Sequence, residues 1–572
     1  MADITGTNGN DILVFNGMVQ QLTMTITNAY SGQSLFIDDE YNNNQSSYEG
    51  MAGIDVLTMS SQGDAIFITN SVGVQMLFNI EQILAGQGGD LIVLAHETIE
   101  LGNVIVDGGA GDDIVWSNIG DDLLRGLGGN DIIDGGPGND NIQGLNDNDI
   151  LNGGADADWL QGGNGNDVLE FYADAVWGAG AGTVNVITGE IADLEGLNRS
   201  FDTFDGGANN DALTMTGGDD ALVLDDPVSA RHASTSGARI VAVEVIDGGA
   251  GNDVINLTSA TYAYGNVTIY GGAGHDVLWS GAGHDVLDGG IGDDRLHGGE
   301  GHDILSGGTG TDQLDGGIGD DTLVFSVDDV DGTGRGVTFD TYVGGAGTDT
   351  LLMGAGDDAF AFDGTNLNGV EIIAAGLGHD HINLDHATAY GNVTVDAGAG
   401  DDYVRASSGD DLLLGGDGDD TLFGNLGNDR VEGGAGNDIL YGGDEGSVTT
   451  LTHQFNGAVA FPTLTELQAL SQAEEAALGL ADGDLSVAYT TTATIKFVES
   501  GAGYKNSLGY YNIAADGTMQ AVEMAFSHVK AAMQGQTYDV TLPGAPDTDF
   551  GFFIIADGYS HNNNYSGVNF AT

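Results

Sequence analysis

The chain is 572 residues long, with 98 glycines, 5 prolines and no cysteine, and its 87 acidic residues against 11 basic ones leave a formal charge of −76. That charge excludes nucleic acid and anionic membranes as passive partners. The absent cysteine excludes disulfide staples, thiolate zinc sites and cysteine nucleophiles, and the scarce proline excludes collagen.

A hydrophobic content of 41% argues against a disordered polyanion. Like charge of this size opposes compaction, so cations are expected to be part of the fold, held by oxygen ligands.

The amino end, MADITGTNGNDILVF, lacks a basic segment followed by an apolar core, and no 18 apolar residues run together. A conventional signal peptide and transmembrane insertion are therefore not expected. Residues 1–47 are read as an N-terminal cap or coil.

The first supermodule is expected over 48–172. It opens with GIDVLTM from Gly53, GDAIFI from Gly63 and IEQILAG from Ile80, and GNVIVDGGAGDDIV from Gly102 leads into a nine-residue register. From Gly108 to Glu170 the register reads GGAGDDIVW, SNIGDDLLR, GLGGNDIID, GGPGNDNIQ, GLNDNDILN, GGADADWLQ and GGNGNDVLE.

After a junction at 173–202, the second supermodule, 203–326, repeats the plan with NDALTM from Asn210, GDDALVL from Gly218, VEVIDGG from Val243 and GNVTIYGGAGHDVL from Gly265. After a junction at 327–340, the third, 341–443, has TDTLLM from Thr348, GDDAFAF from Gly356, VEIIAAG from Val370 and GNVTVDAGAGDDYV from Gly391. The spacing from the glutamate to the asparagine of GNV is nearly constant: 22 residues from Glu81 to Asn103, 22 from Glu244 to Asn266 and 21 from Glu371 to Asn392.

All 18 nonapeptide units place aspartate sixth and an aliphatic residue eighth. A Gly/Asn/Asp turn followed by a short strand sends the eighth side chain inward and its neighbours outward. Two units then make an 18-residue turn of a parallel β-roll, and the sixth-position aspartates line up as two external ladders. Glycine frees carbonyl oxygens and aspartate is short enough to reach an ion between turns, a multi-oxygen cage that suits calcium better than magnesium.

The fold class is accordingly mainly β: a parallel β-roll or β-solenoid in three related supermodules, followed by a smaller β-rich or α+β domain. Within the last part, 444–489 is expected to be a connecting helical region, with LTELQALSQAEEAALGL from Leu464 helical, and 490–572 a C-terminal domain containing a second helix, AVEMAFSHVKAAM from Ala521.

The nonapeptide resembles the hemolysin-type calcium-binding repeat of repeats-in-toxin (RTX) proteins. That resemblance implies multiple Ca2+ ions as cofactors. It makes the metal ligands Asp113, Asp122, Asp131, Asp140, Asp149, Asp158 and Asp167 in the first block, Asp276, Asp285, Asp294, Asp303, Asp312 and Asp321 in the second, and Asp402, Asp411, Asp420, Asp429 and Asp438 in the third. GAGYKNSLGYYNIAADG and DFGFFIIADGYSHNNNYSG resemble the DUF4114 domain, which has no assigned catalytic residues; there Asp516, Asp547, Asp549 and Asp557 are candidate further metal ligands or ordinary loop residues.

The resemblance further implies an extracellular or bacterial cell-surface location reached by type I secretion, and folding on extracellular calcium. The favoured role is structural or adhesive, in a matrix, surface layer or fibre, with self-association or an extracellular polymer as partner. The alternative is a polysaccharide lyase or epimerase on the same solenoid. No G-x-S-x-G elbow, phosphate loop or H-E-x-x-H helix is present, and no catalytic residue is assigned.

His275, His284 and His302 are read as solvated turn residues rather than a metal ladder. Trp116, Trp159 and Trp279 are read as packing or capping residues rather than a glycan-stacking strip.

Overall fold

The structure is a computed structural model. It describes residues 55–59, 61–62, 64–67, 80–95, 101–226, 238–386 and 390–442, together with the backbone of the strands between residues 3 and 49, at 77–78 and from 450 onward. It divides into two compact units, Met1–Ile318 and Gly319–Thr572.

In the first unit the nonapeptides wind a parallel coil. One sheet runs through Gln82–Gln87, Ile105–Ala110, Leu123–Gly128, Asn141–Asn146 and Trp159–Asn164. The facing sheet runs through Leu91–Val93, Ile114–Trp116, Ile132–Asp134, Ile150–Asn152 and Val168–Glu170. Paired residues such as Leu124 and Ile142 are one coil apart, so two nonapeptides make one turn, as the register predicts.

Alternation along each short strand places the eighth residue inside. Val115, Leu124, Ile133, Ile142, Leu151, Leu160 and Leu169 are each at most 1% exposed. This column of aliphatic side chains, stacked turn on turn, is the core of the roll. The same holds for Leu278, Leu287, Leu305 and Leu314, and in the second unit for Val404, Leu413, Leu422 and Val431.

The irregular segments exchange one sheet for another. Thr203–Ala208, Ala212–Thr214 and Ala221–Val223 lie in three different sheets, and Ile240–Val241, Val245–Asp247 and Val254–Asn256 pair with them one turn later. The coil is three-sided here. Afterwards it is two-sided again, now between Thr268–Ala273, Val286–Ile291 and Ile304–Thr309 on one side and Val277–Ala282, Arg295–Glu300 and Gln313–Ile318 on the other.

The second unit repeats the device. Thr341–Ala346, Thr350–Leu352 and Asp358–Ala361 stand in three sheets, and Leu367–Asn368, Ile372–Ala374 and His381–Asn383 follow them. Thus DALTM, ALVL and their counterparts are the strands of a three-sided coil.

The junctions fold back as antiparallel hairpins. In 173–202, Gly182–Val184 pairs with Ile191–Asp193 and Ala175–Val176 with Asn198–Arg199. Ala192 and Leu194 of this arm pack on Ala221, Val223, Val254, Val277 and Trp279, the apolar outer face of the neighbouring sheet. Trp279 is fully buried and Trp116 is 2% exposed, in keeping with packing roles. In 327–340, Asp329–Val330 pairs with Gly336–Val337.

Two expectations need correction. Thr450–Gln454, within the region read as helical, is a strand that continues the parallel sheet beside Arg430–Ala435. Residues 521–523, read as the start of a helix, belong to the strand Met519–Glu523, paired antiparallel with Leu508–Ile513. In the second case the cross-strand partner supplies hydrogen bonds that an isolated helical pattern does not anticipate. Residues 464–480 and the remainder of the second expected helix lie outside the described residues.

Candidate metal centre

Each sixth-position aspartate sits at the mouth of a turn, just ahead of its strand, where the pleat directs the side chain along the coil axis. Its Oδ1 accepts the backbone N–H of the equivalent residue one turn earlier. Asp113 donates to Asp131 at 2.8 Å, Asp131 to Asp149 at 2.8 Å, Asp122 to Asp140 at 2.7 Å and Asp140 to Asp158 at 2.7 Å. The second block gives Asp276 to Asp294 at 2.7 Å, and the third Asp402 to Asp420 at 2.9 Å.

These ladders are not external. Seventeen of the eighteen predicted ligands are at most 3% exposed, while Asp438, last in its row, is half-buried. A polar turn residue is ordinarily solvated, but here the next coil covers it. Asp516, Asp547, Asp549 and Asp557 lie outside the described residues.

The second carboxylate oxygen sets the chemistry. Oδ2 of Asp131, Asp140, Asp149, Asp276, Asp294 and Asp402 is buried and has no hydrogen-bond partner. Such an oxygen is costly to bury as an anion. Burial accordingly pushes the carboxyl of Asp131 up to about 8, Asp140 to about 9, Asp294 to about 7 and Asp402 to about 7, with neighbouring aspartates adding to the rise. Asp158 and Asp202 are raised together, first by burial and then by carboxylate neighbours.

Oδ2 faces a cradle that glycine leaves open. A Cβ at Gly289, first in its unit, would lie 2.5 Å from Asp294 Oδ2 and 2.6 Å from the Gly307 carbonyl oxygen of the next turn. At Gly292 the backbone has φ +140°, and a Cβ there would overlap the Gly274 carbonyl oxygen at 1.5 Å. Carboxylate and carbonyl oxygens from successive turns therefore converge where a side chain would otherwise stand.

Among the described residues no three acidic or histidine side chains gather at one point. A cation here would be held by carboxylates spread one per turn and by main-chain carbonyls. That donor set is all oxygen and loop-borne, and fits calcium.

Sequence reasoning missed further rungs. Asp90, Asp211, Asp253, Asp349 and Asp380 are fully buried and accept N–H groups from Asp64, Asp167, Asp220, Asp321 and Asp358 at 2.6–2.8 Å. Glu81, Glu244 and Glu371 take the place of aspartate and accept the N–H of Asp55, Asp211 and Asp349. The signal lay in GGDLIV, NDALTM, GAGTDTLL and GHDHINL, which spell the motif's second half outside the uninterrupted nonapeptide blocks.

A second ladder, also unforeseen, runs along fifth positions in the opposite sense: Asp112 Oδ1 accepts the N–H of Asn130 and Asp401 Oδ1 that of Asp419, each at 2.8 Å. The exposed His275 and His284 serve as rungs through Nδ1, accepting the N–H of Asp293 at 2.7 Å and of His302 at 2.9 Å.

A parallel roll whose successive turns face one another across buried, half-satisfied carboxylates defines a β-solenoid that carries the oxygen donors of a cation site. The comparison with known families agrees. The RTX calcium-binding nonapeptide repeat (4 copies) matches residues 101–124, 107–142, 134–169, 243–258, 264–287, 288–323, 389–413 and 414–445, so the chain carries RTX calcium-binding repeats. The matched segments end at residue 445 and leave the expected DUF4114-like region without support. No curated protein matches the chain.

Proposed function

We propose that the chain is a secreted calcium-binding structural or adhesive protein whose rolls fold on extracellular calcium and support a matrix, surface layer or fibre. The observation that carries this reading is the row of buried Oδ2 atoms, which at Asp131, Asp140 and Asp294 face a carbonyl of the next turn.

Bound calcium supplies the positive charge that lets those carboxylates stay ionised in the interior. The chain's own residues do the rest. Oδ1 ties each turn to the one before it, the first-position glycine keeps the cradle open, and the inward aliphatic column closes the core once the turns are in register. Without the ion, carboxylate repulsion favours an open chain, which suits export through a type I system into a calcium-rich exterior. No helix among the described residues is long and apolar enough to cross a membrane.

Electron microscopy of the purified chain in calcium and after chelation tests the role. Calcium-dependent filaments or sheets support a matrix or surface-layer protein. Persistently separate particles that cleave or epimerise an anionic polysaccharide would replace it with the enzymatic alternative.

A further inference from the structure

The rungs of the inner ladder are of two kinds, and the division does not follow the nonapeptide motif. In the open kind Oδ2 is buried and has no hydrogen-bond partner, as at Asp294. In the closed kind a local donor already holds it. Asp122 Oδ2 accepts the hydroxyl of Ser117, which stands where most units have their first glycine, while Oδ1 takes the N–H of Val104 at 2.8 Å. Asp411 Oδ2 has the N–H and the hydroxyl of Ser407 both at 3.2 Å, and its unit begins with Ala406 rather than glycine.

Both closed rungs start a row, directly after a valine, Val104 or Val393, that brings no carboxylate. Ser200 and Thr216 hold Oδ2 of Asp202 and Asp220 in the same manner.

Outside the nonapeptide blocks the open kind recurs. Asp211 and Asp349 are fully buried, with Oδ2 unpartnered. A Cβ at Gly206 would lie 2.8 Å from Asp211 Oδ2 and 2.1 Å from the Ala242 carbonyl oxygen; one at Gly344 would lie 2.6 Å from Asp349 Oδ2 and 2.1 Å from the Gly369 carbonyl oxygen. This is the cradle seen at Gly289. In both coils the next turn brings a second carboxylate, Glu244 or Glu371, hydrogen-bonded to the aspartate's own N–H at 2.8 and 3.0 Å.

We propose that cation sites follow the open carboxylate oxygen rather than the repeat motif: the three-sided coils hold divalent ions at Asp211 and Asp349, and Asp122 and Asp411, inside the nonapeptide blocks, hold none. The inference rests on the calcium-binding reading above and extends it to residues 170–242 and 324–388, which no repeat match covers. The hydroxyl and amide donors act as stoppers that end an ion row without leaving a buried charge unsatisfied.

The test is the number of calcium ions retained per full-length chain after desalting in calcium, measured by atomic absorption. Asp211→Asn, Asp349→Asn and Asp122→Asn are compared with Asp294→Asn, a rung inside a block. Asparagine keeps the Oδ1 acceptor and replaces only Oδ2.

The expected result is the loss of at least one ion each from Asp211→Asn, Asp349→Asn and Asp294→Asn, and none from Asp122→Asn. A gain variant, Ser117→Gly, is expected to add an ion at Asp122 and stands even if a loss variant fails to fold. Full retention by Asp211→Asn and Asp349→Asn beside loss from Asp294→Asn overturns the inference, as does equal loss from Asp122→Asn. Full retention by Asp294→Asn overturns the calcium-binding reading itself.

Discussion

Asp140 reaches back one turn of the roll to Asp122: its Oδ1 accepts the Asp122 N–H at 2.7 Å, while its Oδ2 is buried with no hydrogen-bond partner. One side chain thus performs two tasks, fixing the register between turns and offering an oxygen to a cation. The stability of the roll is thereby tied to the state of that oxygen.

Acidity is expected to stabilise the calcium-free roll. Burial raises the folded-state values of Asp131, Asp140 and Asp294 to about 8, 9 and 7, against about 3.9 for an unfolded aspartate. The folded chain therefore binds more protons between those values. Stability from these groups is fully present below about pH 4 and is lost as pH rises through the folded values. Far-UV circular dichroism in chelator should show more β-sheet at pH 5 than at pH 8; the reverse order would contradict the assignment.

Calcium affinity should run the other way. Binding needs deprotonated carboxylates, so it releases protons and tightens as pH rises over the same window. Calorimetry in buffers of different ionisation enthalpy reads the proton release directly, and a buffer-independent heat would count against buried protonated ligands.

The Gly292→Ala change is expected to destabilise the first unit. The backbone there has φ +140° and a Cβ would strike the Gly274 carbonyl. The conformation alone costs about 1–3 kcal/mol for a residue with a side chain, and the overlap adds to it. Gly265→Ala, with nothing within 4 Å of its Cβ, should stay within about 0.5 kcal/mol of the parent.

A buried ion network at the arm gives a separate prediction. Arg239, 2% exposed, donates to Asp226 Oδ2 at 3.0 Å and to the carbonyls of Asp202 and Ser200 at 2.9 and 2.7 Å. Asp226 also accepts from Arg199. Asp226→Ala strands buried positive charge and should cost about 3–5 kcal/mol. The more exposed pair Arg125 and Asp107, 2.9 Å apart, should be worth at most about 1 kcal/mol. Equal melting of Asp226→Ala and Asp107→Ala would refute the distinction.

The nine-residue period was enough to place Leu124 and Leu287 in the core, and Asp131 in a row with Asp149 and Asp294 in a row with Asp312, because strand alternation and turn chemistry are local. Asp211 and Asp349 escaped it because their ladder partners stand 44 and 28 residues away, a separation set by the insertion of a third strand or an arm. The burial of the aspartates was misread for a related reason: only the next coil covers them, and coil stacking is not a local property. The pairing of Met519–Glu523 with Leu508–Ile513 likewise depends on a partner strand that hydrophobic spacing within one segment does not reveal.

The most direct measurement of the central claim is a calcium titration of the chelated full-length chain followed by far-UV circular dichroism. The account predicts a weakly structured spectrum in chelator that converts to a β-sheet spectrum as calcium is added at pH 7.5. A β-sheet spectrum of equal intensity with and without calcium would contradict it.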